Sequence, residues 1–317
     1  MKIGIDIMGG DHAPVHTVSG AIKALEFLEK DSQLVLIGDE PLIRKTCEDM
    51  DFDPDRFIIV HAPSKIEMED HPAKSFQEKQ DSGIVIGFKM LASGEIDGFA
   101  SAGNTGAMLV GSMTMIKTID GIDRPAISSP LPRIDGDDGI LLDVGIYPDA
   151  KPENLYQYGL LGSVYAKGVL QKENPTVGLL NIGSEPGKGS LLAKSAYQLM
   201  EKAADYNFIG NMEGSDLFRM GTADVIVCEG FTGNVVLKQA ESFYRLMQKR
   251  QVSDEYLNRF NFDQYGGTPV LGINKPVIIG HGVSKEIAIK NMILHTRDVI
   301  NANISEKIKE FISHDKS

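Results

Sequence analysis

The chain has 317 residues, 42% hydrophobic and 24% charged, a composition that excludes a disordered or fibrous protein. At roughly 150 residues per domain, this length predicts two lobes, which one continuous sheet could still join. A formal net charge of -12 and a pI of about 5.1 repel polyanions and set nucleic acid aside as the main ligand.

The first residues, Met1 to Ile7, enter an apolar strand-like run with no charged leader or small-residue cleavage site, which predicts a chain that is not exported. Further Ile/Val/Leu-rich runs follow at Gln33 to Gly38, Phe57 to Ala62, Ile140 to Ile146, Thr176 to Ile182 and Ala223 to Glu229. Most close at Gly or Asp and are expected to be buried strands. Helix spacing appears between them: Val18, Ile22, Leu25 and Leu28 follow Pro14, and Leu155, Tyr158, Leu161 and Tyr165 follow Pro152. The stretch from Lys285 to Ile312 places Ile289, Ile293, Val299, Ile300, Ile304, Ile308 and Ile312 on a rough stripe and predicts a closing helix.

This alternation predicts an α/β fold of three layers, α/β/α, whose mostly parallel sheet gathers ligands beyond the carboxyl ends of its strands. No Ser/Pro/Gly linker marks a boundary, so residues 1–317 read as one catalytic α/β chain with room for two lobes interleaved in sequence. No run reaches the roughly 18 apolar residues of a membrane span, and any membrane contact is expected to be peripheral. Cys47 and Cys228 stand far apart, without a thiol or histidine partner at metal-ligand spacing, and fit a reducing, cytoplasmic compartment.

Four glycine-rich loops follow strand-like runs. The first contains Asp6, Gly9, Gly10 and Asp11 ahead of Pro14; its paired glycines let backbone approach a ligand, or simply make a tight turn. The second, with Gly103, Asn104, Thr105 and Gly106, opens a helical run and suits an anion such as phosphate, the alternative being an Asn/Thr cap. The third runs from Asn181 to Ser190. It differs from a nucleotide P-loop, because Gly183 and Gly187 are separated by three residues and Gly189 follows Lys188 where Ser or Thr is needed. Lys188 can still meet a phosphate as a point charge, the alternative being a merely solvated lysine.

The fourth loop, Cys228 to Val235, precedes a helical run expected from Val235 to Met247. Its Asn234 can donate an amide N–H to a developing oxyanion, worth about 2.7 to 4 kcal/mol when preorganised, the alternative being helix capping. A later turn supplies His281, a lone histidine of the kind more often structural than catalytic. No Gly-x-Ser-x-Gly elbow or Cys-x-x-Cys pair occurs, so the loops read as positioning anions and polarising a carbonyl.

Over nearly its whole length the chain resembles the bacterial PlsX family of acyl-carrier-protein:phosphate acyltransferases. The resemblance rests on Asp6 to Pro14, Ala102 to Gly106, Asp123 to Ala126, Val177 to Gly183, Phe208 to Asn211, Gly230 to Lys238 and Tyr265 to Gly267. It implies a fold similar to the isocitrate and isopropylmalate dehydrogenases, a homodimer, no metal or other cofactor, and an acyl phosphate passed to a membrane glycerol-phosphate acyltransferase. Lys188 and Asn234 match positions expected to be catalytic. The phosphate-binding set is then Asp6, Gly9, Gly10, Asp11, Gly103, Asn104, Thr105, Gly106, Gly183, Gly187, Gly189 and His281. Two departures stand out: the family continues Asp143-Val144-Gly145 with Ala-Asn where this chain has Ile146-Tyr147, and it has a longer amphipathic helical pair between Lys238 and Tyr265.

Acyl carrier protein is acidic, so an acidic enzyme needs a local basic landing surface. Within the segment 238–264, Lys238, Arg245, Lys249, Arg250 and Arg259 are candidates. The neighbours Leu237, Phe243, Leu246, Met247, Leu257 and Phe260 could instead face a membrane or a dimer partner. The rival readings are an NAD- and metal-dependent decarboxylating dehydrogenase, a phosphate acetyltransferase using acyl-CoA, and a membrane-associated scaffold. The first lacks a Gly-x-Gly-x-x-Gly fingerprint.

Overall fold

The apolar runs form strands, and helices fill most of the intervals between them. The computed structural model describes residues 1–314; the last three residues of the 1–317 chain lie outside the described residues. In chain order the elements are β1 (Lys2–Asp6), α1 (Val15–Ala24), β2 (Gln33–Gly38), α2 (Glu40–Glu48), β3 (Ile58–His61), α3 (Pro72–Glu78), α4 (Gly83–Ser93), β4 (Gly98–Ser101) and α5 (Thr105–Gly111). Next come β5 (Ala126–Pro132), β6 (Asp138–Leu142), α6 (Pro152–Gly168), β7 (Thr176–Asn181), α7 (Leu191–Met200), β8 (Asn207–Glu213), β9 (Val225–Val227) and α8 (Gly230–Lys249). The chain closes with α9 (Glu255–Asn258), β10 (Thr268–Leu271), β11 (Val277–Ile279), α10 (Glu286–Asn301) and α11 (Ile304–His314).

These elements divide into two compact units. The first comprises Met1–Lys117 and Phe262–Asn301, the second Thr118–Asn261 and the segment from Ala302. In the first unit the strand order is β3-β2-β1-β4-β11-β10, parallel except for β10 against β11. Ile5 of β1 registers with Leu36 of β2 and Ala100 of β4, and Ile3, Ile5, Leu34, Leu36 and Phe99 are all buried. Strands buried on both faces read as unbroken apolar runs, as these do. The edge-to-face pair Phe88–Phe99, 5.2 Å between ring centres, joins α4 to the sheet.

In the second unit the order is β5-β6-β9-β7-β8, parallel except for β5 against β6. Here α6 buries Leu155, Tyr158 and Leu161, and bare Gly162 lets it close on Val225 of β9. The expected closing helix is two helices, α10 in the first unit and α11 in the second, broken at Asn303 with φ +52. Asn tolerates that left-handed conformation where other side chains would clash, and so ends the helix. Among the described residues no helix is long and apolar enough to cross a membrane.

Candidate active site

In the first unit, β1 delivers Asp6 to the carboxyl end of its sheet. The Asp6 carboxylate is only 3% exposed; Oδ2 accepts the Ser101 hydroxyl at 2.7 Å and Oδ1 accepts the Met8 N–H at 3.2 Å. Burial pushes its carboxyl up to about 6, although the Ser101 and Met8 bonds pull the other way. Ser101 Oγ in turn accepts the Gly103 N–H at 2.9 Å. A Cβ on Gly9 would stand 2.5 Å from Asp6 Oδ2 and 2.7 Å from the Gly103 nitrogen, so only glycine admits the β1 and β4 loops to each other. Gly10 turns at φ +97, and the Asp11 N–H donates to Gly282 O at 2.8 Å, which draws the His281–Gly282 turn alongside.

The structure thus brings Asp6, Gly9, Gly10, Asp11, Gly103 and the His281 turn together, and it shows what two of the expected binding side chains hold. Asp6 is a buried anchor of the loop, because its oxygens are turned to Ser101, Met8 and the glycines. Asn104 caps α5: Oδ1 accepts the Ala107 N–H at 2.9 Å, and Nδ2 faces the carbonyls of Glu67, Met68 and Asp70 at 3.0, 3.1 and 3.1 Å. Its side chain is spent on backbone. Thr105 is exposed, whereas Gly106 is where Pro72 packs, since a Cβ there would overlap the proline ring. His281 Nδ1 accepts the Val283 N–H at 3.4 Å.

In the second unit, β7 ends at the Lys188 loop. Residues 184–188 are exposed, Gly183 is buried, and a Cβ on Gly183 would lie 3.1 Å from Lys188 Cγ, so the lysine stem crosses the bare glycine. Lys188 Nζ is 3.8 Å from Glu185 Oε1, a loose and half-exposed pair that leaves the ammonium free to meet a stronger anion. Gly187 has open space around it, and Gly189 turns at φ +91 before Ser190 caps α7 by accepting the Ala193 N–H.

The helix carrying Asn234 starts at Gly230, five residues before the expected Val235, because Glu229 caps it by accepting the Thr232 N–H and hydroxyl at 3.2 and 2.5 Å. Asn234 is therefore on the second turn and exposed. Its Oδ1 lies 3.6 Å from where a Cβ on Gly145 would stand, so its amide borders the loop after β6. That loop is organised by a residue the sequence reading did not assign. Buried Asp143 gathers the N–H groups of Ile127, Gly145, Ile146 and Tyr147 at 2.9 to 3.2 Å. Burial raises its carboxyl above the usual range while these bonds pull it down.

The departure at Ile146-Tyr147 costs nothing in this anchoring, which uses backbone; the Tyr147 ring instead receives the Arg124 guanidinium 4.6 Å from its centre. Cys228 is buried and its thiol is pushed well up, which keeps it protonated and a poor nucleophile. Among the described residues no three His, Cys, Asp or Glu side chains gather as a metal site.

The basic strip lies along α8 and just past α9. Lys238 and Arg245 both pair with Glu241, at 3.0 and 2.9 Å, along α8. Arg259 is turned inward: its guanidinium holds Arg133 O, Asp137 O and Asp138 Oδ1 at 2.8, 2.7 and 2.6 Å. Phe260 packs edge-on against Phe218 and Tyr256, so it is not an outward apolar contact. Lys249 and Arg250 remain exposed at the end of α8, and Phe231, Val235, Phe243 and Leu246 are exposed along it.

Comparison with known proteins identifies the chain's relatives. A family model described as fatty acid synthesis protein matches residues 1–307. The chain is 40% identical to a phosphate acyltransferase of Dictyoglomus turgidum over 98% of this chain and 97% of that protein. It is 37% identical to the phosphate acyltransferase of Bacillus subtilis over 100% and 99%. Among solved structures, a phosphotransacetylase from Streptococcus pyogenes shares the fold, with a TM-score of 0.65, 16% identity and 94% of each chain covered. This chain belongs to the fatty acid synthesis protein family, the PlsX family that its loops resemble.

Proposed function

We propose that the chain transfers a long-chain fatty acyl group from the thioester of acyl carrier protein to inorganic phosphate, as a step of phospholipid synthesis. Phosphate is already an anionic nucleophile: its oxygen adds to the thioester carbonyl, the C–S bond breaks, and the carrier thiolate leaves and takes a proton from water. Lys188 holds the phosphate as a point charge, and the exposed Asn234 amide donates to the oxyanion of the tetrahedral intermediate. In the first unit, the Gly9–Gly10 turn and the N–H groups of Thr105 and Gly106 are assigned to anion binding, with the His281 turn beside the first of these. No covalent acyl-enzyme is needed, in keeping with the buried, protonated Cys228.

The observation that carries this reading is the pairing of full-length kinship to phosphate acyltransferases with a half-exposed lysine on a glycine loop. Lys249 and Arg250 are the remaining landing charges for acyl carrier protein, and the apolar side of α8 is assigned to a homodimer contact, with peripheral attachment to the inner face of the cell membrane as its alternative. The test is to incubate purified protein with palmitoyl-acyl carrier protein, palmitoyl-CoA or acetyl-CoA, each with and without phosphate. Acyl phosphate is expected only with phosphate and chiefly from the palmitoyl carrier thioester. Preference for acetyl-CoA would point to the acetyltransferase reading, and no product with any donor would leave a scaffold. Lys188→Ala is expected to lower turnover by at least about 100-fold with the circular dichroism spectrum unchanged; wild-type turnover would remove Lys188 from the mechanism.

A further inference from the structure

Lys188 stands on an exposed turn, so apolar packing does not fix its ammonium; two side-chain amides hold the turn instead. Asn181, the last residue of β7, donates from Nδ2 to Lys188 O at 3.2 Å and to Asn211 Oδ1 at 3.1 Å, while its Oδ1 accepts the Ile182 N–H at 2.8 Å. Asn211, buried on the neighbouring strand β8, donates from Nδ2 to Glu185 O at 2.8 Å. Glu185 O also accepts the Lys188 N–H at 3.1 Å and closes the turn Glu185-Pro186-Gly187-Lys188. Both ends of the turn are thus tied to one amide pair rooted in adjacent parallel strands. Gly189 completes the arrangement, because a Cβ at φ +91 would overlap Asn181 Oδ1.

We propose that Asn181 and Asn211 are positioning residues for Lys188, fixing the loop so that the lysine meets phosphate without first being ordered. The inference rests on the reading of Lys188 as the phosphate-binding cation. A long flexible side chain on an unsecured loop would have to surrender its freedom at each binding event, and a preformed turn removes most of that cost. Sequence alone showed Asn181 as the start of the Lys188 loop and both asparagines inside the family-like runs Val177 to Gly183 and Phe208 to Asn211, with no role.

The test is steady-state kinetics with palmitoyl-acyl carrier protein and varied inorganic phosphate for Asn181→Ala, Asn211→Ala, the double variant and Lys188→Ala. Each single asparagine variant is expected to lower kcat/KM for phosphate at least tenfold, with the KM for the acyl thioester within twofold of wild type. The double variant should lose little more than either single one, because the pair acts as a unit. Asn211→Asp keeps the shape and the acceptor for Asn181 but loses the donor to Glu185 O, and the same loss is expected of it.

If Lys188→Ala is inactive while the asparagine variants keep wild-type phosphate kinetics, the positioning role falls and the functional reading stands. An active Lys188→Ala sinks the reading itself. Equal loss toward both substrates with a lowered melting temperature, or failure of all these variants to fold, would make the pair a general structural tie and overturn the proposal.

Discussion

Ionising Asp6 opposes folding, because the carboxyl is held away from water with two hydrogen bonds in place of hydration. Its folded-state pKa of about 6 lies above the ordinary 3.8, so the native state binds the proton more tightly than the unfolded chain. The resulting stability is fully present below about pH 4 and lost as pH rises through 6. At about 1.4 kcal/mol per unit the loss is on the order of 3 kcal/mol. Urea unfolding of wild type and Asp6→Asn from pH 4 to 8 should show wild type losing ground to the variant up to about pH 6 to 7 and none above; a constant gap would mean a solvated carboxylate. Asp6 and Asn104 also mark where reading residues from sequence stops. Both are polar groups at strand ends in glycine turns, which is what a ligand site looks like, but their partners Ser101 and Glu67 lie 95 and 37 residues away. Only the fold decides whether a polar atom faces a ligand or a carbonyl.

The same limit at the level of elements follows from composition. Runs such as β1, β2 and β7 were legible because strands buried on both faces are continuously apolar, whereas β5 carries two prolines and β8 is half polar at the outer side of its sheet. The start of α8 was misplaced because Gly230 and Gly233 read as loop; they are helical, and their missing side chains let the helix press on the Asp143 loop. A Cβ on Gly233 would overlap the Asp143 carbonyl, a backbone atom that cannot swing away. Gly233→Ala is therefore expected to destabilise the protein by about 1–3 kcal/mol despite the better helix propensity of alanine. It should also lower turnover, since Asn234 is the next residue. Gly214, with nothing within 4 Å, provides the control: Gly214→Ala should leave melting temperature and turnover near wild type. Equal effects at both positions would show that the α8 contact is not what glycine protects.

At the scale of the whole molecule, the chain leaves the first unit after Lys117 and returns to it at Phe262, so that unit is completed by its most distant segment. No linker composition signals this, because each crossing runs through ordinary polar turns, and length alone suggested two lobes. The returning segment is core: Val277 to Ile279 of β11 register with Phe99 to Ser101 of β4, and α10 lies on α1, where bare Gly20 admits Ile289. Ile289, Met292 and Ile293 of α10 are fully buried. At roughly 1.5–3 kcal/mol each, they contribute ~5–9 kcal/mol, comparable with the ~5–15 kcal/mol that separates folded from unfolded domains. A chain ending at Asn261 should therefore fail to fold its first unit even though it keeps β1 through α5. Hydrogen exchange is the measurement. In the full chain the amides of β1, β2 and β4 are expected to exchange slowly, and in the truncated chain at rates close to those of an unfolded peptide. Protection retained in β1 and β4 would show that the first 117 residues hold their own core, and the long return of the chain would then serve some purpose other than completing it.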